Sequence, residues 1–213
     1  MPILSTPVKM PFTEGNGDYT VVGYQQIQGD QYAALYSEIL TVELENDFFP
    51  FLYPNQYVNF SPDSEASKLA LSMVSEDTTD VDALKQIYNY VVNNLTYDYD
   101  KAETVETGYL PDVDETLSTK TGICFDYAAL TTAMLRSCDI PCKLQIGYTG
   151  DIKHAWIDVY IRSKGWVTGA VSFNGDSWSL MDPTFDSSAD SDDTEAIQDY
   201  IGNADNYTVQ FTR

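Results

Sequence analysis

The chain has 213 residues, 43% of them apolar, with 16 Tyr and 3 Trp, enough for a folded aromatic core. Its 33 acidic residues against 11 basic ones give a net charge of -22 and a sequence pI near 4.1. That balance argues against nucleic acid or anionic membrane as partners, because both are held through basic patches. The acidity reads either as a solubility device or as an attraction for cationic, lysine-bearing substrates.

No stretch is long and apolar enough to span a membrane, and Met1-Pro2-Ile3 lacks the basic and apolar regions of a signal peptide. Residues 1–29 read as irregular or extended, with one strand over Tyr19-Thr20-Val21-Val22-Gly23-Tyr24. Tyr32, Leu35, Tyr36, Ile39 and Leu40 recur at helical spacing and predict a helix over residues 30–45. The Pro-punctuated run Phe48-Phe49-Pro50-Phe51-Leu52-Tyr53-Pro54 reads as a packed connection. Ser64 opens a predicted helix to about Ser75, and Asp80 another to about Leu95. Residues 96–119 read as a long polar link that leads to the next element and lines a cleft.

From Cys124 to Ser137 the chain has no Gly or Pro, and its two charges sit where the macrodipole favours them, Asp126 first and Arg136 last. A helix apolar on nearly every side is a buried one. Its N-terminus carries a thiol, where free N–H groups and the positive dipole end lower a thiol pKa and can hold an oxyanion. Beyond it the period changes to two. Strands are predicted over Lys143–Thr149, His154–Ile161, Gly165–Val167, Ser177–Asp182 and Tyr207–Thr212. His154, Trp156, Asp158 and Tyr160 share one face; Ala155, Ile157, Val159 and Ile161 share the other. Helices followed by an antiparallel run of strands make an α+β fold.

His154 is the one histidine, so an imidazole base for Cys124 must come from it. Cys–His catalysis also needs an acceptor that orients the imidazole. Asp182 has the best local case, ending a strand expected to neighbour His154 and fixed by Pro183. Cys138 and Cys142 either pair or stand as two buried thiols. Three Cys and one His make a poor zinc set once Cys124 and His154 are used elsewhere. The acidic run Asp186–Glu195 lacks the ordered ligands and Gly of a calcium loop and reads as a solvated loop. No metal or cofactor is expected.

Gly122-x-Cys124, His154-Ala155-Trp156 and Asp182-Pro183-Thr184, in that order and about 30 residues apart, resemble the transglutaminase-like superfamily of papain-like cysteine enzymes. Ile140-Pro141 with Gly147-Tyr148, and Lys164-Gly165-Trp166, are similar to its intervening signature; Gly108-Tyr109-Leu110-Pro111 and the run around Cys124 resemble its secreted or cell-surface bacterial members. The resemblance covers roughly residues 80–190. It implies a papain-like α+β core, with Cys124 as nucleophile, His154 as general base and acid, and Asp182 as the orienting carboxylate. It divides the chain into an N-terminal extension of unknown role, 1–60, and a catalytic domain, 61–213. The implied chemistry is acyl transfer on peptide or protein amides, lysine-bearing ones included, outside the cell or on its surface. Hydrolysis is favoured over crosslinking, since the sequence shows no device for excluding water. The backbone N–H of Cys124 is one oxyanion donor; Tyr109, Lys120 and Trp156 are candidates for further oxyanion or substrate contacts. The other reading is a catalytically silent peptide- or glycan-binding module on the same fold.

Overall fold

A computed structural model describes residues 9–167, 171–173, 178–180 and 207–213. Two strands, β1 (Gly17–Gln28) and β2 (Gln31–Val42), form an antiparallel hairpin closed by Gly29-Asp30, with Gly29 at φ +53°. Helices α1 (Glu65–Met73) and α2 (Asp80–Asn94) follow. The strand β3 (Thr96–Tyr97), the helices α3 (Tyr99–Thr104) and α4 (Val113–Thr119), and β4 (Thr121–Gly122) then lead into α5 (Cys124–Ser137). The chain continues through β5 (Cys142–Thr149), β6 (Ile152–Ile161), β7 (Gly165–Val167), β8 (Val171–Phe173), β9 (Trp178–Leu180) and β10 (Tyr207–Thr212). The main sheet is antiparallel in the order β10-β5-β6-β7.

The mixed α+β architecture agrees with the sequence reading, and α5 has the bounds its uninterrupted run predicts. It is the core of the molecule. Every residue from Asp126 to Arg136 is buried, with α1, α2 and α4 packed around it and β5 and β6 beneath. Ala155, Ile157, Val159 and Ile161 point from β6 into this core. The opposite face of β6 is buried too: His154 is 5% exposed, Trp156 2% and Asp158 7%.

The predicted helix over 30–45 is instead strand β2. In the register Gly23 faces Tyr36 while Tyr24 faces Ala34, so Leu35 is an extra, bulged residue. The bulge shifts the alternation by one: Tyr36 and Leu40 fall on one face, Tyr32 and Ile39 on the other. A two-residue period interrupted once thus imitates an i, i+3, i+4, i+7 pattern. No residue of either strand is buried. The chain between the hairpin and α1 behaves differently, with Pro50, Phe51, Asn55 and Val58 buried.

The link over 96–119 is partly helical. Asp98 caps α3 by accepting from the Lys101 amide at 2.9 Å, and Asp112 caps α4 by accepting from the amides of Asp114 and Glu115, each at 3.0 Å. Cys138 and Cys142 are free thiols, the first half-buried and the second fully buried.

The strand Trp178–Leu180 pairs with Val171–Phe173 in a separate two-stranded sheet, whereas β6 pairs with β5 over Ile152–Val159 and with β7 over Val159–Ile161. The expected adjacency of that strand to the strand of His154 is therefore not formed among the described residues. Asp182 and the Asp186–Glu195 run lie outside the described residues.

Candidate active site

Cys124 is the first residue of α5. The first intrahelical bond runs from the Tyr127 amide to the Ile123 carbonyl at 3.1 Å, so the amides of Cys124, Phe125 and Asp126 precede the ladder. The approach to Cys124 is clamped: the Thr96 amide donates to the Lys120 carbonyl and the Asp98 amide to the Gly122 carbonyl, both at 2.9 Å.

Cys124 and His154 line one cavity of about 400 Å3. Tyr97, Val105, Glu106, Tyr109, Phe125 and Ile152 are among its walls. The segment after Leu95 does line the cleft, as its position before Cys124 suggests. A larger space of about 620 Å3 lies near Arg136 and Ser137 at the other end of α5, among Phe48, Tyr53, Phe60 and Tyr160, away from Cys124 and His154. The cavity that holds the predicted residues is thus the smaller of these two.

His154 is backed by aromatic rings. Trp156 stacks parallel to it with centroids 6.3 Å apart, and Tyr207 tilts against Trp156 at 5.1 Å. Across the strands His154 faces Gly147, where a Cβ would collide with the Thr208 carbonyl oxygen of β10. Gly147 lets β10 pass close behind the histidine. Further along this face the Gln145 amide donates to Asp158 at 2.6 Å and accepts from the Thr212 hydroxyl at 2.8 Å.

The sequence reading took Asp126 as a simple complement to the helix dipole. It is fully buried, and its carboxylate takes three hydrogen bonds at the start of α5. Its carboxylate accepts from the Ile123 amide at 2.8 Å, from the Lys101 ammonium at 2.7 Å and from the Tyr109 hydroxyl at 2.5 Å. Lys101 also donates to the Tyr109 oxygen at 2.7 Å, with its ammonium 4.4 Å from that ring's centroid. Burial works against the Lys101 ammonium, but its bonds to Asp126 and Tyr109 outweigh this and hold its pKa above the ordinary lysine value. Burial, reinforced by the bond to Asp126, pushes Tyr109 up to about 12. One signal in the sequence could have found this cluster. Asp126 stands three residues after Ile123, an N-cap with no polar side chain, and so occupies the reciprocal position of a capping box.

The remaining predicted residues are dispersed. Tyr109 reaches the cavity with its single hydroxyl proton donated to Asp126. Trp156 is behind His154 and too buried to offer a substrate surface. Lys120 is exposed, in the left-handed conformation that caps α4, and does not line the cavity.

Residues 67–169 match the transglutaminase-like superfamily. This segment belongs to that superfamily. YebA, an uncharacterized protein of Bacillus subtilis strain 168, is 24% identical over 181 residues, covering 74% of this chain and 24% of its own length. The UPF0252 protein MJ1282 of Methanocaldococcus jannaschii is 40% identical over 62 residues, 27% of this chain and 18% of its own length. The chain thus spans a quarter or less of the length of these relatives. A solved structure of a candidate cysteine protease from Cytophaga hutchinsonii superposes with a TM-score of 0.52 at 17% identity, over 92% of this chain and 69% of that one. At that identity the likeness concerns the fold. Among the described residues no helix is long and apolar enough to cross a membrane.

Proposed function

We propose that the protein is a thiol acyl-transfer enzyme acting on peptide or protein amides outside the cell or on its surface. The observation that carries this reading is the meeting, in one cavity, of Cys124 at the N-terminus of a buried helix and the chain's one histidine. Cys124 is the nucleophile, His154 the general base and acid, and Asp182 the carboxylate that orients His154.

The Cys124 thiolate attacks the amide carbonyl carbon, and the carbonyl π electrons move onto oxygen. The Cys124 amide donates to that oxyanion. Collapse breaks the C–N bond as the His154 imidazolium gives its proton to the leaving amine, and a thioester remains. His154 then takes a proton from water, whose oxygen attacks the thioester, releasing the acid and Cys124. Replacing water by a lysine amine in this second half gives an isopeptide bond.

The test is turnover of quenched peptide amides, with and without a lysine-analogue amine, by the wild type, Cys124→Ser and His154→Ala. Loss of turnover by 10³-fold or more in both variants is expected. An unreactive wild type whose Cys124 also alkylates like a free thiol would instead favour the silent binding module.

A further inference from the structure

Two opposite charges meet at the first turn of α5, the turn that begins with Cys124, without lying on the proposed reaction path. Asp126 places a fully buried carboxylate two residues along the helix from Cys124. A negative charge there opposes formation of a thiolate. Lys101, from α3, makes an ion pair with it at 2.7 Å. Tyr109, a residue of the cavity wall, adds a second side-chain donor.

We propose that Lys101 and Asp126 are positioning residues for Cys124: Asp126 fixes the first turn of α5 and clips the cavity wall to it, and Lys101 cancels the field of that carboxylate at the sulfur. The inference rests on the reading of Cys124 as a nucleophile. The three acceptor bonds of Asp126 end on Ile123 just before the cysteine, on Lys101 in α3 and on Tyr109 in the loop beyond it. One carboxylate therefore ties together the helix N-terminus and two pieces of the segment that faces it. An apolar side chain could not do this, because all three contacts are hydrogen bonds to its oxygens. The cost is a buried anion in the same helical turn as a sulfur that must itself become an anion, and Lys101 offsets that charge. Among the described residues, the ionisable groups that line the cavity with Cys124 are Glu106, Tyr97 and Tyr109 from the wall, and Lys153 and His154 from β6.

The experiment is the pH dependence of iodoacetamide alkylation at Cys124, mapped by mass spectrometry, in the wild type, Lys101→Met, Asp126→Asn and the double variant. Asparagine keeps the shape of the side chain and an oxygen to accept from Ile123. Neutralising Lys101 alone leaves the carboxylate uncompensated and raises the midpoint by about one pH unit. Neutralising Asp126 alone leaves Lys101 in excess and lowers it. The double variant returns close to wild type. General damage to the helix terminus would move both single variants the same way and the double variant further. Shifts of equal sign, or four equal midpoints, overturn the proposal. If Lys101→Met fails to fold, the downward shift in Asp126→Asn decides alone. His154→Ala in the same titration tests the nucleophile reading separately. A profile equal to wild type there removes the thiolate–imidazolium pair, while the Lys101 and Asp126 shifts are still read on an ordinary thiol.

Discussion

Gly122 lies directly against Asp126: a Cβ at position 122 would stand 2.6 Å from the Asp126 Cβ and 2.9 Å from its Oδ2. The Gly of the Gly122-x-Cys124 motif is thus needed for space and not for an unusual backbone angle. It lets a carboxylate fold back over the start of the helix.

Gly122→Ala should therefore push Asp126 out of its seat. The expected loss is about 1–3 kcal/mol of stability from overpacking, together with slower alkylation of Cys124. Urea denaturation and a single-pH alkylation rate check both. An unchanged rate with lowered stability would detach the glycine from the cysteine's geometry.

Alkylation at neutral pH should fall on Cys124 alone. Burial pushes the Cys138 thiol up to about 11 and the Cys142 thiol up to about 12, so neither offers much thiolate near pH 7. Cys142 is also inaccessible, at 0% exposure. Peptide mapping after limited iodoacetamide treatment should show one carbamidomethylated cysteine in the folded protein and three after denaturation. Early modification of Cys138 would contradict this.

Asp80 at the start of α2 accepts from the Arg162 side chain and, at 2.9 Å, from the Arg162 amide, joining α2 to the turn after β6. The Arg162 guanidinium holds the Asp80 carboxyl below its ordinary value, against the opposing effect of burial. The folded state therefore binds this proton less readily than the unfolded one. The stabilisation is complete above the ordinary aspartate pKa and fades as pH falls below about 4 toward the depressed value. Because Arg162 is exposed, solvent screens the pair. Asp80→Asn should cost roughly 1 kcal/mol at pH 7, and its urea midpoint should approach that of wild type near pH 3. Parallel midpoints at both pH values would show that the charge is not what stabilises this contact.

The hairpin should be separable from the core. None of its residues is buried, and an isolated two-stranded hairpin adds little stability of its own. Replacing residues 17–42 by a short Gly-Ser linker should leave Tm within a few degrees and Cys124 alkylation intact, measured by circular dichroism and mass spectrometry. A large fall in Tm would mean that the hairpin packs on the domain.

The parts legible in the sequence were those carried by one uninterrupted local pattern. Helix α5 has no breaker between Gly122 and its C-terminus, and β6 alternates without a bulge, so both were readable with the right faces. The hairpin was not, because Leu35 breaks the alternation, although Gly29-Asp30 between two β-rich runs is itself a hairpin signal. Helices α3 and α4 were too short to show a period, though Asp98 and Asp112 sit at their caps. The bond between Lys101 and Asp126 joins residues 25 apart with no spacing rule to link them. The thiol and the imidazole could be named from chemistry alone, whereas the clip beside them depends on how three segments meet.

The far end of α5 is anchored as firmly as the near end. Arg136 is 4% exposed and donates to the carbonyls of Cys142 at 3.0 and 2.8 Å, Tyr53 at 2.9 Å and Arg213 at 3.0 Å. One guanidinium thus gathers the segment before α1, the start of β5 and the residue after β10. A helix fixed at one end by Asp126 and at the other by Arg136 has no independent way to fray. Its ladder amides, from Tyr127 onward, should exchange with deuterium only through global unfolding, at a free energy equal to that of the whole domain. Cys124 then rides on the slowest-opening unit of the molecule, and its seat at the helix start is lost only when the whole domain unfolds.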